Sequence, residues 1–475
     1  MDRIDLWIGE DLAPRGGDYR GTQRAHDGEA IADVARASRD DLDPVLEAAS
    51  VGATAMRAMP AHRRARLLNL AADRLEAESE EFATLIATEI GKTIRDARGE
   101  VSRGPQNLRH AAAEALTMAG EVVPMDAVTG GEGRIGWTRL EPRGVIAAIV
   151  PFNFPLNLLI HKLAPALATG NAIVIKPASA AVLAAHRLAR LLAEVGFPAG
   201  SVCVAPGPGD EIGEGLATDP RVAMVTFTGS VPVGQRLRAA SGLKPVTLEL
   251  GSNSANLVFA DADLDRAIPA LAASAFGFAG QVCLSAQRLF VERALLPEFL
   301  DRFTAAAAAL QPGDPRAETT DLSPLISRSE VVRVGAWVDE AAASGGRLVR
   351  GGPMDDPRYY SPTIVESPSF DSRLFRDEVF GPVVGIYPFD TLDEVIERAN
   401  DSRYGLQAGV FTRDITRAMT VAERLHVGGV WINEASTFRQ QNAPYGGVGD
   451  SGLGREGVRW AAREMVEEKF VGIRL

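Results

Sequence analysis

Only a few side chains in this sequence have a type and setting suited to covalent chemistry. The chain holds two cysteines, Cys203 and Cys283. Cys203 lies in the apolar run Ser201-Val202-Cys203-Val204 and reads as a buried, inert thiol. Cys283 stands among small and polar residues, in Ala279-Gly280-Gln281-Val282-Cys283-Leu284-Ser285, a setting that suits a nucleophile as well as a packed thiol. Glu249 sits near the end of the apolar stretch Val246-Thr247-Leu248-Glu249-Leu250-Gly251. Burial there would raise its pKa toward the range a general base needs near neutrality; a salt-bridged edge carboxylate is the alternative. Asn153 lies between Phe152 and Phe154, bracketed by Pro151 and Pro155. A side-chain amide in so rigid an apolar loop could serve an oxyanion, or simply the turn.

Two further features could hold a nucleotide. Lys176 ends the apolar run Ala172-Ile173-Val174-Ile175, where it could reach a ribose or phosphate, or stay solvated. Thr226-Phe227-Thr228-Gly229-Ser230, with Gly234 beyond, follows an apolar run and opens a helical pattern. Backbone N–H groups at such a helix start can bind phosphate, although this is not the G-x-G-x-x-G fingerprint and a plain tight turn fits equally well.

These residues need elements to hold them. Runs at 145–150, 172–176, 201–204, 222–227 and 246–250 read as strands, with helices around 180–195, 209–217 and 231–240. That alternation predicts a parallel sheet covered by helices on both faces. The pattern restarts after Leu250, with strands at 256–259, 288–291, 383–388, 406–411 and 429–432 and helices near 263–278, 294–309, 391–400 and 414–424. Two successive α/β sheets imply two domains with a cleft between them. Ahead of them the chain is mainly helical; Pro60 suits a helix start, and Leu67, Ala71 and Leu75 recur at helical spacing. The segments 134–140 and 468–475 read as strands outside both sheets, a hint that a partner subunit covers an edge.

Bulk properties exclude other classes. The 475 residues carry 50 Lys+Arg against 62 Asp+Glu, a net charge of -12, which opposes general affinity for nucleic acid or anionic membrane. No apolar run reaches the roughly 20 residues that span a bilayer, and Met1 to Glu10 has no signal-like core. Two cysteines make no disulfide framework, so a cytoplasmic protein is expected. Nothing in the pattern calls for a metal.

In order along the chain, Pro151-Phe-Asn-Phe-Pro155, Lys176-Pro177, Phe227-Thr-Gly-Ser230, Leu248-Glu-Leu-Gly251, Gly280-Gln-Val-Cys283, Glu378-Val-Phe-Gly-Pro382 and Pro444-Tyr-Gly-Gly447 resemble the aldehyde dehydrogenase superfamily, from about residue 30 to the C-terminus. The resemblance implies an α/β fold with a Rossmann-like cofactor domain (1–118 and 141–249), a catalytic domain (250–432) and oligomerisation strands (119–140 and 456–475) that build a homodimer or homotetramer. It implies NAD or NADP as cofactor. Cys283 would attack the aldehyde carbonyl, with the oxyanion held by Asn153 and the Cys283 N–H, and Glu249 would activate water on the resulting thioester. Glu378, with Phe380 and Phe152 nearby, would hold the nicotinamide ribose beside Gly251. Lys176 and Ser179 would meet the adenosine ribose, and Gly229 and Ser230 the pyrophosphate. Ser252 departs from the second Gly usual after Glu-Leu-Gly, so cofactor placement could shift slightly.

Local residues resemble the branch of lactaldehyde and acidic-aldehyde dehydrogenases. Asn157, His161, Phe438 and Arg439 lie in the two stretches that carry this likeness. His161 falls where succinate-semialdehyde dehydrogenases carry a carboxylate-binding Arg, and Arg103 where non-phosphorylating glyceraldehyde-3-phosphate dehydrogenases carry an anion-binding Arg. Those enzymes also have Arg before the catalytic Cys, here Val282, so a small hydroxy- or acid-substituted aldehyde is expected. Surface charge and packing are the alternative reading of Arg103 and His161. Glu249 argues against coenzyme A-dependent acyl transfer, and the intact set of Cys283, Glu249 and Asn153 against a crystallin-like protein without chemistry.

Overall fold

The computed structural model describes residues 2–13, 19–23 and 28–475. Met1, residues 14–18 and residues 24–27, all assigned above to the cofactor domain, lie outside the described residues.

Val145–Ile149 alternates its side chains between two apolar cores, as a strand buried on both faces must. Val145, Ala147 and Ile149 join Cys203, Phe227 and Leu248 on one face, while Ile146 and Ala148 join Ile173, Ile175 and Met224 on the other. This strand lies at the middle of an eight-stranded sheet. Across the sheet the order is Gly452–Leu453, Val246–Glu249, Val222–Thr228, Val145–Ile149, Ala172–Lys176, Val202–Val204, Leu6–Trp7 and Asp11–Leu12. The five central strands are parallel. The wholly parallel sheet expected from the alternation is corrected at its edges, where Gly452–Leu453 and Leu6–Trp7 run antiparallel. Short strands from the chain ends close those edges, and no crossover helix constrains their direction.

Sequence order reverses between Val145–Ile149 and Val222–Thr228. The loops leaving neighbouring strands diverge at such a point and leave a crevice at the strands' carboxyl ends. The two loops here are Val150–Phe154 and Gly229–Ser230, which sets the site between them.

The second sheet has seven strands, in the order Arg347–Pro353, Tyr360–Glu366, Val383–Phe389, Arg288–Glu292, Ala255–Val258, Gln407–Phe411 and Gly429–Ile432. All neighbours are parallel except the first pair. The strands Arg347–Pro353 and Tyr360–Glu366, and the helix Arg328–Ala343, were not read from the sequence. Gly351 and Gly352 interrupt the apolar pattern of the first. Other boundaries moved: the segment at 209–217 starts as a π-helical turn over Gly209–Gly213 and becomes α-helical over Glu214–Thr218. The expected helix at 263–278 ends at Phe276, before Gly277.

The two segments without a home in either sheet pair with each other. Arg134–Pro142 and Val466–Arg474 run antiparallel over nine residue pairs, with Val122–Val123 as a third strand. Residues 458–464, within the stretch assigned to strands, form a helix, because Val458, Ala461 and Ala462 bury one helical face.

Candidate active site

A cavity of about 380 Å³ opens at the crevice, lined among others by Phe152, Asn153, Thr228, Gly229, Ser230, Glu249, Gly251, Cys283, Arg333, Glu378 and Phe380. Nine residues singled out from the sequence therefore share one wall-to-wall space, contributed by both large sheets.

Cys283 is presented by a strained turn. Phe278 and Ala279 hold φ of 45° and 51°, followed by Gly280 at 69°. Left-handed backbone at two consecutive residues with side chains is costly and persists only where packing imposes it. Gly280 cannot be replaced cheaply, since a Cβ there would lie 2.1 Å from the Gly381 carbonyl oxygen. The turn ends in the part-buried Cys283, whose Sγ lies 3.3 Å from the Tyr445 hydroxyl. Burial pushes this thiol up to about 12, the Tyr445 bond opposes the shift, and Glu378 and Glu249 add to it. With the pKa raised this far, the resting sulfur is a protonated thiol. Cys203 is fully buried in the sheet core and has no comparable neighbour.

Glu249 ends its strand 2 % exposed, and neither carboxylate oxygen has a hydrogen-bond partner among the described residues. Burial raises its pKa well above the ordinary value and Glu456 adds to the rise, against Lys162, Arg439 and Arg455. Glu456 itself goes the other way. Burial alone would raise it, yet ion pairing with Lys162, helped by Arg439, takes it down to about 2. A fixed anion thus sits behind a carboxyl group poised to take up a proton.

Asn153 is held from both sides. Its Nδ2 donates to the Gln281 carbonyl at 2.8 Å, and its own carbonyl accepts from Lys92 Nζ at 2.5 Å. The Gln281 carbonyl fixes which end of the amide is which. One Nδ2 hydrogen remains for a ligand, so the amide is a partly engaged donor rather than a dedicated one. Lys92 is completely buried, pairs with Glu100 at 2.6 Å and lies 3.7 Å from the centroid of the Phe154 ring. Glu100 in turn accepts from the backbone N–H groups of Leu156 and Asn157.

The cofactor side fits a dinucleotide. The helix Val231–Ala240 starts directly behind Gly229 and Ser230, so its first N–H groups face the crevice. Glu378 is held by the Ser252 N–H at 3.0 Å, and a Cβ on Gly251 would lie 2.4 Å from its Oε2. Burial raises Glu378 to about 7, and the Ser252 bond offsets part of that. The Ser252 hydroxyl turns away to Ser254 at 3.2 Å, so the departure from glycine leaves the Glu378 contact intact. Phe152 meets Phe380 edge-on at 6.1 Å. Lys176, at the end of its strand, is 6 % exposed and lowered by burial to about 8, with Asp210 opposing. Ser179 is exposed in the following turn. Lys176 and Ser179 do not line the 380 Å³ cavity.

None of the expected substrate residues is in that lining. His161 is fully buried against Asn107 at 3.3 Å, and its pKa is lowered well below the usual value by burial and then by Arg439. It is neutral near pH 7, so at the position where succinate-semialdehyde dehydrogenases carry an Arg this chain presents an uncharged ring. Asn157 is buried and accepts from Asn107. Arg439 stacks 3.7 Å over the Tyr445 ring and pairs with Glu456 at 3.2 Å. Arg103 lies over Phe154, and burial lowers its pKa, with Glu100 opposing and Arg439 adding repulsion. Phe438 is half-exposed against Trp431.

Sequence reasoning missed Arg333, Tyr445 and the buried charges Lys92, Glu100, Lys162 and Glu456. Lys162, set with His161 inside the mainly apolar run from Leu158 to Leu167, was the signal available for one of them.

The Aldehyde dehydrogenase family model matches residues 16–471. The 3-sulfolactaldehyde dehydrogenase of Priestia aryabhattai is 44% identical over 444 residues, 94% of this chain and 92% of that protein. Glyceraldehyde-3-phosphate dehydrogenase GapN from Methanocaldococcus jannaschii, solved with NADP, superposes with a TM-score of 0.91 at 37% identity, covering 96% of this chain and 99% of that one. PnpE, from Pseudomonas sp. WBC-3, solved in complex with nicotinamide adenine dinucleotide, gives 0.95 at 37% identity, covering 99% and 97%.

The Lys92–Glu100 pair yields a stability prediction. Lys92→Met should destabilise the fold by about 3–5 kcal/mol, because Glu100 is left buried without its cation. Lys92→Met/Glu100→Gln should recover part of that loss. Denaturant titration checks both, and a single variant within about 1 kcal/mol of the parent would show the pair to be dispensable.

Proposed function

The chain belongs to the aldehyde dehydrogenase family, and on that premise we propose that it oxidises a small hydroxy- or acid-substituted aldehyde to its carboxylic acid with NAD or NADP, through a thioester on Cys283. The observation that carries the mechanism is the convergence of Cys283, Glu249, Asn153 and Glu378 on one cavity. Cys283 adds to the aldehyde carbon and Asn153 Nδ2 steadies the oxygen that takes up the charge. Bound nicotinamide supplies the hydride acceptor. Glu378, held by the Ser252 N–H, would hold the nicotinamide ribose. Glu249 then draws a proton from water, which attacks the thioester and releases the acid.

The substrate assignment rests on Arg103 and Arg439. The two guanidiniums are near enough to repel each other, and burial weighs on Arg103, so an anionic group bound near both would relieve that repulsion and the cost of burying Arg103. The name of the sulfolactaldehyde relative, a hydroxyaldehyde bearing an acid, agrees with this chemistry. Val282 in place of Arg argues against a phosphate. The eight-stranded sheet is assigned to the cofactor (1–118 and 141–249) and the seven-stranded sheet to catalysis (250–432). The three-stranded sheet, with Val122, Ile135, Phe470 and Ile473 exposed, is assigned to association into a homodimer or homotetramer. Among the described residues no helix is long and apolar enough to cross a membrane.

Glu249→Gln tests the two halves of the reaction. It should give a rapid burst of reduced cofactor followed by slow turnover, without help from coenzyme A. In the parent the thioester step should accelerate as pH rises, because Glu249 accepts a proton only when ionised and its pKa is raised well above the usual carboxylate value. That limb of the pH profile should vanish in the variant. A coenzyme A requirement, or a variant with parental steady-state turnover, would overturn the hydrolytic role.

Cofactor choice is open to a second test. Ser179 brings no carboxylate beside Lys176, so NADP should be accepted alongside NAD, although Asp210 tempers the positive field. Ser179→Glu should shift kcat/KM toward NAD, since a carboxylate about 4 Å from a phosphate costs roughly 1 kcal/mol in water and more where solvent is excluded. An unchanged NADP:NAD ratio would show that this position does not discriminate.

A further inference from the structure

Tyr445 belongs to the motif Pro444-Tyr-Gly-Gly447, yet nothing in the mechanism above uses its hydroxyl. The side chain is 4 % exposed and packs with Leu284 and Leu406, both apolar. Its oxygen lies 3.3 Å from Cys283 Sγ. Three kinds of interaction fix that position. Tyr445 N–H donates to the Glu456 carbonyl at 3.0 Å, and Glu456 N–H donates back at 2.6 Å. The Glu456 carboxylate pairs with Arg439, and the Arg439 guanidinium stacks 3.7 Å from the centre of the Tyr445 ring. Backbone, ion pair and ring contact form a closed loop, so the phenol cannot swing away without breaking a buried salt bridge.

We propose that Tyr445 stabilises the Cys283 thiolate as it forms, by donating its O–H to the sulfur from a side chain packed between Leu284 and Leu406. The proposal rests on Cys283 being the nucleophile. In the resting site the thiol is protonated, and S–H and O–H share one hydrogen bond. During attack the S–H bond breaks, its proton passes to water in the cavity, and the sulfur lone pair forms the S–C bond while the carbonyl π pair moves to oxygen. Tyr445 keeps its own proton throughout. Burial holds the phenol well above its ordinary pKa, so it remains a donor across the working pH range. The Arg439 cation over the ring polarises the O–H further. A hydrogen bond to an ionised sulfur is stronger than one to a thiol, so the contact favours the state that reacts.

The test is alkylation of Cys283 by iodoacetamide as a function of pH, read by peptide mass spectrometry, beside kcat/KM for aldehyde oxidation. Tyr445→Phe keeps the ring and removes the donor. Its alkylation rate should fall about tenfold at each pH below the thiol pKa, an upward shift of roughly one unit, with kcat/KM falling in parallel. Uniform replacement of tyrosine by 3-fluorotyrosine strengthens every phenol as a donor and should move the same profile down, which also covers a Phe variant that does not fold. An unchanged alkylation profile overturns the proposal. If turnover nevertheless falls, the hydroxyl serves the substrate oxygen instead of the sulfur. The underlying reading fails separately and visibly: Cys283→Ser would then retain turnover.

Discussion

Charges that reach almost no solvent set the geometry of this site. Lys92 with Glu100, and Lys162 with Glu456, are buried to within 2 % of complete exclusion. Removing such ions from water costs several kcal/mol each, and only close pairing with additional hydrogen bonds offsets it. Each pair obtains those bonds from the backbone or side chains of the site. Lys92 takes the Asn153 carbonyl and Glu100 takes the N–H groups of Leu156 and Asn157, so the loop after the central strand has one low-energy course. Glu456 takes Arg439 and Lys162, and through its backbone fixes Tyr445.

The two pairs also divide the electrostatics. The cation of Lys92 stands under the loop that carries Asn153, where negative charge would develop on the substrate oxygen. The Glu456 anion stands behind Glu249 and raises its proton affinity. The opposite shifts of Glu249 and Glu456 follow from which of them touches cations: Glu456 pairs directly with Lys162 and Arg439, whereas Glu249 makes no hydrogen bond among the described residues. One carboxylate is a fixed charge and the other is free to exchange a proton.

Much of this was legible before any coordinates, for reasons that can be named. The strands at 145–150, 172–176 and 246–250 were readable because both faces are buried and their apolar runs are unbroken. The cavity wall was readable because its motifs, from Pro151-Phe-Asn-Phe-Pro155 to Glu378-Val-Phe-Gly-Pro382, resemble in type and order those of the aldehyde dehydrogenase family. The edge strands were missed because two-residue pairings at Leu6–Trp7 and Gly452–Leu453 leave no periodic trace. Tyr445 was missed because its contact with Cys283 spans more than a hundred residues of chain, and Arg333 because nothing in its local sequence marks it as part of the cavity wall. That His161 stays neutral was not legible either, since it follows from burial against Asn107 and the nearby charges of Arg439 and Lys162.

The central claim is covalent: the substrate carbon becomes bonded to Cys283 and leaves by hydrolysis. Acid quenching of parent enzyme mixed for milliseconds with a hydroxyaldehyde and oxidised cofactor, followed by peptide mass spectrometry, reads that bond directly. The account predicts an acyl adduct on the Cys283 peptide, none on Cys203, and loss of the adduct with time in the absence of coenzyme A. An adduct confined to Cys203, or reduced cofactor formed with Cys283 unmodified at every time point, would contradict it.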